Sequence, residues 1–287
     1  MFHTVRRLGP ALVLCGSALA HGDVAAPIHW AYSAYFGTGA YSIDTGESVY
    51  VLSFRPGWSL RGAQLEENGE RKIGLRFRLP VTIGLHELDS SDLASTLNLN
   101  NVGTLSVVPG LEIDIPINKR WSLKPVAYAG WGTEADGDAS AWIYWAGVRS
   151  RVAFHNDAFD WALVNALTDV GYSSDAGKRQ SVLPLLTGVE FERPLGNRKL
   201  GGEQVYLHWH VAYTSYLDGI KWPQIARTTV EPVAIDDEWE IGAAFSRGGE
   251  PLRLWRLHWD RVGIAYRFSS NGRFEGVSLV FGSLYDR

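Results

Sequence analysis

The sequence predicts an all-β fold: a closed antiparallel up-and-down transmembrane β-barrel of about twelve strands. Three observations predict it. Apolar side chains recur at every second position along most of the chain, as at Val277, Leu279 and Phe281, with Gly276 before the first and Ser278 between the first two. Such a strand has two unlike faces. The alternating segments are also long. A soluble strand usually runs five or six residues, whereas a tilted membrane strand needs about 9–11 to cross hydrocarbon. Finally, the segments follow an amino terminus with the three parts of a secretory signal.

In chain order, that signal comes first. Arg6 and Arg7 give a positive start, Ala11 to Leu19 an apolar stretch, and Ala18-Leu19-Ala20 a small-x-small cleavage site, with Ala26 as a later alternative. The apolar stretch is well short of the roughly 20 residues of a spanning helix. Residues 1–20 are therefore expected to be cleaved, 21–27 to form a short periplasmic segment, and 28–287 to form the barrel. Its strands are predicted near 28–41, 47–61, 71–86, 104–117, 120–132, 141–154, 159–171, 181–193, 204–217, 237–247, 253–268 and 273–285. Ten or fourteen strands are the neighbouring even counts, and an even count puts both chain ends on the periplasmic side. The connections around Asn118-Lys119, His155 to Ala158 and Arg247 to Pro251 are short, as periplasmic turns are. Leu88 to Gly103 and Asp218 to Asp236 are long, as outer loops are.

Composition narrows the function. Without residues 1–20 the chain keeps 25 basic and 31 acidic residues, a net charge of −6, and no basic patch suggests nucleic acid. The single cysteine, Cys15, lies inside the signal, so thiol chemistry, disulfides and cysteine-based metal sites drop out. Twelve Trp, twelve Tyr and eleven Phe suit a chain that meets headgroups, where amphipathic rings concentrate. There is no nucleotide fingerprint and no phosphate-cradling glycine loop, and no cofactor is expected.

Facing follows from the two-residue period. In the third strand Ile73, Leu75, Phe77 and Leu79 face outward and Lys72, Arg76 and Arg78 inward. In the fourth, Leu111, Ile113 and Ile115 face outward and Glu112 and Asp114 inward. Opposite charges thus meet across adjacent strands. The inward set continues with Arg149, Arg151, Glu190, Glu192, His208, His210, Glu238, Glu240 and Arg267. An interior charged with both signs fits a barrel lumen and would be costly in a soluble core. Pro80, Pro109, Pro125 and Pro184 interrupt candidate strands, so each must sit at a bulge or a rim.

With the signal, the long alternating strands and a last strand carrying Gly276-x-x-Leu279-x-Phe281, the chain resembles bacterial outer-membrane barrels. Gly276, Leu279, Phe281 and Tyr285 are similar to the carboxyl-terminal signal read by the barrel-assembly machinery, although Asp286 and Arg287 follow the final aromatic residue. Strand count and size resemble the translocator domain of autotransporters. Only residues 21–27 separate the cleavage site from the first strand, so the expectation is a solitary barrel without a passenger domain. The resemblance implies a monomer in the outer membrane of a Gram-negative bacterium, in contact with membrane lipid and lipopolysaccharide.

Two motifs bear on chemistry. Ser269-Ser270-Asn271-Gly272-Arg273 contains the Ser-Asn-Gly-Arg part of the outer-membrane phospholipase motif, but Phe268 stands where that motif has histidine. A serine without a base is a poor nucleophile, and Asn-Gly makes hairpin turns in its own right. In His208-Trp209-His210 both imidazoles share the inward face, and the next strand offers Glu238 and Glu240 on the same face. Such a group can hold a divalent metal, form a base-and-orienter pair, or simply belong to a lumen hydrogen-bond network. The acidic clusters Asp89 to Asp92 and Asp236-Asp237-Glu238 are expected at the outer rim. The expected role is structural or permeation-related; the alternative is an outer-membrane lipid hydrolase built on His208, His210, Glu238 and Glu240.

Overall fold

The computed structural model describes residues 33–43, 48–67, 69–86, 102–134, 140–156, 159–175, 177, 179–222, 233–248, 252–254 and 257–286. The segment 1–20, residues 21–32 and the acidic stretch Asp89 to Asp92 lie outside them.

The chain forms a closed barrel of twelve antiparallel strands. They are β1 (Gly39–Ile43), β2 (Ser48–Phe54 and Gly57–Arg61), β3 (Gly74–Arg78 and Val81–His86), β4 (Val102–Val107 and Gly110–Pro116), β5 (Trp121–Glu134) and β6 (Ser140–His155). The second half comprises β7 (Asp160–Ser174), β8 (Arg179–Val182 and Pro184–Leu200), β9 (Glu203–Trp222), β10 (Val233–Arg247), β11 (Val262–Phe268) and β12 (Phe274–Val280). Each strand pairs with its neighbour in sequence, and β12 returns to β1 with Gly39 opposite Ser278 and Ile43 opposite Phe274. Gly276 sits where a Cβ would come within 2.6 Å of the Tyr41 ring, so the closing pair needs its missing side chain. β1 runs away from one end of the barrel and β12 runs back toward it; that end is here the terminal end, and the other is the loop end.

The prolines show how the ladder tolerates a missing donor. Pro56, Pro80 and Pro109 divide β2, β3 and β4 at the same level, and Pro184 follows a one-residue break in β8. Each of the first three still offers its carbonyl to the next strand: Leu79 N donates to Pro56 O at 2.9 Å, Val108 N to Pro80 O at 2.9 Å, and Ala129 N to Pro109 O at 3.0 Å. Half the ladder survives at each break, and the strands on either side keep one register. Pro125 stays within β5, opposite Val148 of β6.

Four segments depart from the sequence reading. The first strand is confined to Gly39–Ile43, after a helical turn at Ser33–Phe36 and Gly37 at φ 85°. The segment expected as one strand over 253–268 divides into a small hairpin, Leu252–Leu254 against Leu257–Trp259, and β11. The last strand ends at Val280; residues 281–286 turn back, and Leu284 and Tyr285 are buried. Arg71 and Lys72, expected at the start of the third strand with Lys72 inward, instead form a small exposed hairpin with Gln64–Leu65, where Lys72 pairs with Glu66.

Polarity is inverted relative to a soluble protein. Leu52, Leu111, Val148, Ile241, Ile264 and Leu279 are among the apolar side chains exposed on the outer face, while Glu112, Lys124, Arg149, Glu190, Glu238 and Arg267 are buried. Outward tryptophans stand toward both ends, Trp58 and Trp121 near the terminal end, Trp131 and Trp142 near the loop end. From Trp121 to Trp131 β5 advances roughly 33 Å at about 3.3 Å per residue; a tilt near 40° turns this into about 25 Å of height, the size of the apolar band on outer-membrane barrels. The lumen has two zones. Toward the loop end, inward Tyr41, Ile143, Tyr172, Val182, Tyr216 and Phe274 pack into one apolar cluster with Phe36 of the helical turn. One buried ion pair, Arg267 with Glu238, lies against Tyr41 and Tyr216 of this cluster; toward the terminal end charged residues predominate.

Candidate functional site

The charged zone is built by register. Arg76 of β3 lies opposite Glu112 of β4, so the two inward rows meet. Glu112, 1% exposed, is the hub. Tyr128 Oη of β5 donates to its Oε1 at 2.5 Å, Arg78 Nε donates to Oε2 at 3.4 Å, and Arg149 of β6 and Arg76 approach within 3.7 and 4.0 Å. A carboxylate so deep in the wall is tolerable only with such partners.

The carboxyl-terminal turn docks into this hub from inside. Asp286 receives Lys124 Nζ at 2.5 Å and Arg76 Nη1 at 3.5 Å, and Ser283 Oγ donates to its other oxygen at 2.7 Å. Lys124 also reaches Asp114 at 3.4 Å and lies 4.2 Å from the centre of the Tyr285 ring. On the far wall, Leu284 N donates to Glu190 Oε1 at 2.6 Å, and Arg261 pairs with the same oxygen at 3.4 Å. Residues 283–286 therefore bridge opposite sides of the lumen.

A second cluster forms on β9, β10 and β11. Arg267 Nε donates to Glu238 Oε1 at 2.5 Å and stands 3.6 Å from Glu240; Tyr216 Oη donates to Glu238 Oε2 at 3.0 Å. His210 Nε2 lies 2.6 Å from Glu240 Oε1. Gly242 makes room for that imidazole, since a Cβ there would fall 2.2 Å from His210 Cε1. Arg267 Nη1 also donates to Phe36 O at 3.1 Å, tying the helical turn into the lumen.

The four residues singled out as a possible catalytic or metal group are divided. His210 meets Glu240, but His208 lies opposite Ala244, further along the strand from Glu238 and Glu240. Its partners are Ser246 of β10, with Nε2 and Oγ 2.6 Å apart, and Glu192 of β8, 3.5 Å from Nδ1. Ser246 was not read as part of this group from sequence; once β9 and β10 are placed in register, it becomes His208's neighbour. Among the described residues no three His, Cys, Asp or Glu side chains converge as a metal-binding group.

The remaining expected positions are also placed. Ser269 Oγ accepts from Arg273 N and Phe274 N at 3.1 and 3.0 Å, capping the tight turn in which Gly272 has φ 70°. Gly276 faces the lumen, Leu279 the exterior, and Phe281 stacks on Trp259 at 5.3 Å. Tyr285 is in the lumen rather than on the outer wall. Arg151 lines a cleft at the terminal end.

No family model matches this chain, and no curated protein matches it significantly in sequence.

Proposed function

We propose that the chain is an outer-membrane β-barrel of a Gram-negative bacterium, of the autotransporter-like kind it resembles, with a structural or gated-permeation role. The observation that carries this reading is the inverted polarity: a predominantly apolar exterior around an interior that holds paired charges. Such an exterior is unfavourable in water and favourable in lipid. In this reading the chain is a monomer that contacts lipid and lipopolysaccharide and is inserted by the barrel-assembly machinery. The apolar cluster and the docked carboxyl-terminal turn make its resting lumen largely filled, as the interiors of small barrels are.

One observation favours a second reading, a lipid hydrolase. Ser246, His208 and Glu192 stand in the order nucleophile, base, orienter. In that chemistry Ser246 Oγ attacks an acyl ester carbonyl as its proton passes to His208 Nε2. The alkoxide leaves with that proton, and water releases the acyl group.

Both readings are tested on the chain refolded in detergent. Heat-modifiable gel mobility and recovery in the outer-membrane fraction are expected; a soluble chain without either would remove the barrel proposal. Rare or small unitary steps in planar bilayers are expected from a gated pore, and a silent bilayer would leave the structural role. Ester turnover abolished by Ser246→Ala would establish the hydrolase; no turnover by the unmodified chain would dismiss it.

A further inference from the structure

A cleft of about 440 Å³ opens at the terminal end of the lumen. Five cationic side chains line it: Arg61, Arg76, Lys124, Arg151 and Arg261. Among the described lining residues two are acids, Asp114 and Asp286, and both lie within 4 Å of Lys124; Glu192 lies near enough to Arg151 and Arg261 to interact with them but does not line the cleft. Arg261 shares Glu190 with the Leu284 amide. Among the described residues neither Arg61 nor Arg151 has a carboxylate within 4 Å. The basic excess is therefore concentrated on Arg61 and Arg151, which face the same space from β2 and β6.

Among the described residues, one strand beside this cleft has a neighbour on one side only. The second half of β2, Gly57–Arg61, pairs with β3 alone, because β1 begins opposite Val51 and no described strand continues along that edge. All five residues are exposed, including Trp58 and Leu60 on the outer face. The cleft is thus bounded by a one-sided strand, with apolar side chains outside and arginines inside.

From these two features we infer that the cleft is a binding site for a phosphate-bearing ligand. Arginine forks match tetrahedral oxyanions through paired N–H donors, which chloride cannot use in the same way. The volume lies within the usual range for small-ligand sites. The apolar Trp58 and Leu60 on the outer side of the same strand suit a ligand whose phosphate is attached to an acyl chain. The inference goes beyond the permeation role and needs only the barrel interior.

The probe is pyrophosphate, titrated into the full chain in maltoside micelles, which carry no phosphate, with ionic strength matched by sodium chloride. The expected result is a rise in the thermal midpoint beyond the chloride control. Arg61→Ala and Arg151→Ala should each weaken binding by about tenfold, as loss of one charge-assisted hydrogen bond does. Arg61→Lys and Arg151→Lys, which keep charge but lose the fork, should fall between. Folding is checked by gel mobility; should Arg151→Ala not fold, the exposed-edge pair Arg61→Ala and Arg61→Lys decides. A short-chain phosphatidic acid forms the second arm. Tighter binding than pyrophosphate assigns a lipid headgroup, and binding by pyrophosphate alone assigns a soluble phosphate. No shift beyond chloride from either ligand, or arginine-to-alanine variants that bind as well as the parent, would overturn the inference. Binding is read without conductance, so a silent barrel that binds and a conducting barrel that does not separate this site from the permeation role.

Discussion

Glu112 illustrates how a single buried carboxylate can organise a lumen. Its four partners come from β3, β5 and β6, so its removal leaves Arg78 and Arg149 with the carbonyls of Asp286 and Tyr285 in place of a carboxylate and frees the Tyr128 hydroxyl. Breaking a buried ion pair from one side costs about 3–5 kcal/mol. Glu112→Ala is accordingly expected to lower barrel stability by that amount in urea titrations followed by tryptophan fluorescence, whereas Glu66→Ala, removing an exposed pair with Lys72, should cost under about 1 kcal/mol. The inward direction of Glu112, Arg76 and Arg78 was legible from the alternation around them. The roles of Lys124, Tyr128 and Asp286 were not: Lys124 meets Asp286 across 162 positions of chain, a contact set by closure of the barrel rather than by any local period.

At the scale of the strand, the two-residue period is most readable where the two faces differ in polarity, as in β3, β4, β8 and β10. It is weaker near the loop end, where inward residues are apolar too. Trp142, Tyr144 and Ala146 alternate with Ile143 and Trp145, and both sets are hydrophobic. The first strand was misplaced because Ala31 to Tyr41 has aromatic spacing compatible with an extended chain. Gly37 at positive φ instead separates a helical turn from a five-residue strand. Pro80, Pro109 and Pro184 do interrupt their strands, whereas Pro125 stays within β5 opposite Val148; the alignment of Pro56, Pro80 and Pro109 across β2, β3 and β4 depends on registers that sequence does not fix. The facing assignment has its own test. Leu111 is exposed on the outer face near the middle of β4, so Leu111→Arg should cost about 2–4 kcal/mol in a lipid bilayer. Ser59→Asp, inside the terminal cleft and opposite Arg76, should stay within about 0.5 kcal/mol. Equal costs in folding titrations with lipid vesicles would mean that the outer face does not meet hydrocarbon.

For the whole molecule, the interior division matters most: an apolar cluster fills one half of the lumen, and a turn of the chain itself closes much of the other. That turn is held chiefly by charge, which makes its docking dependent on pH. Burial would raise the Asp286 carboxyl, but the Lys124 ammonium, with Ser283 and Arg76, outweighs it and holds the group well below the ordinary carboxylate range. A depressed value means that docking gains its full stabilisation above the free carboxylate's value of about 4 and loses it as pH falls from there through the lower, docked value. Between pH 7 and 5 the docked turn should therefore be indifferent to pH, and below about 4 it should progressively release. Asp286→Asn should show weaker docking already at pH 7. In planar bilayers the parent is expected to conduct less than the variant at neutral pH and to converge on it in acid. Identical conductance of the two at neutral pH would show that the turn does not obstruct the lumen, leaving the apolar cluster around Tyr41, Ile143 and Phe274 as its closure.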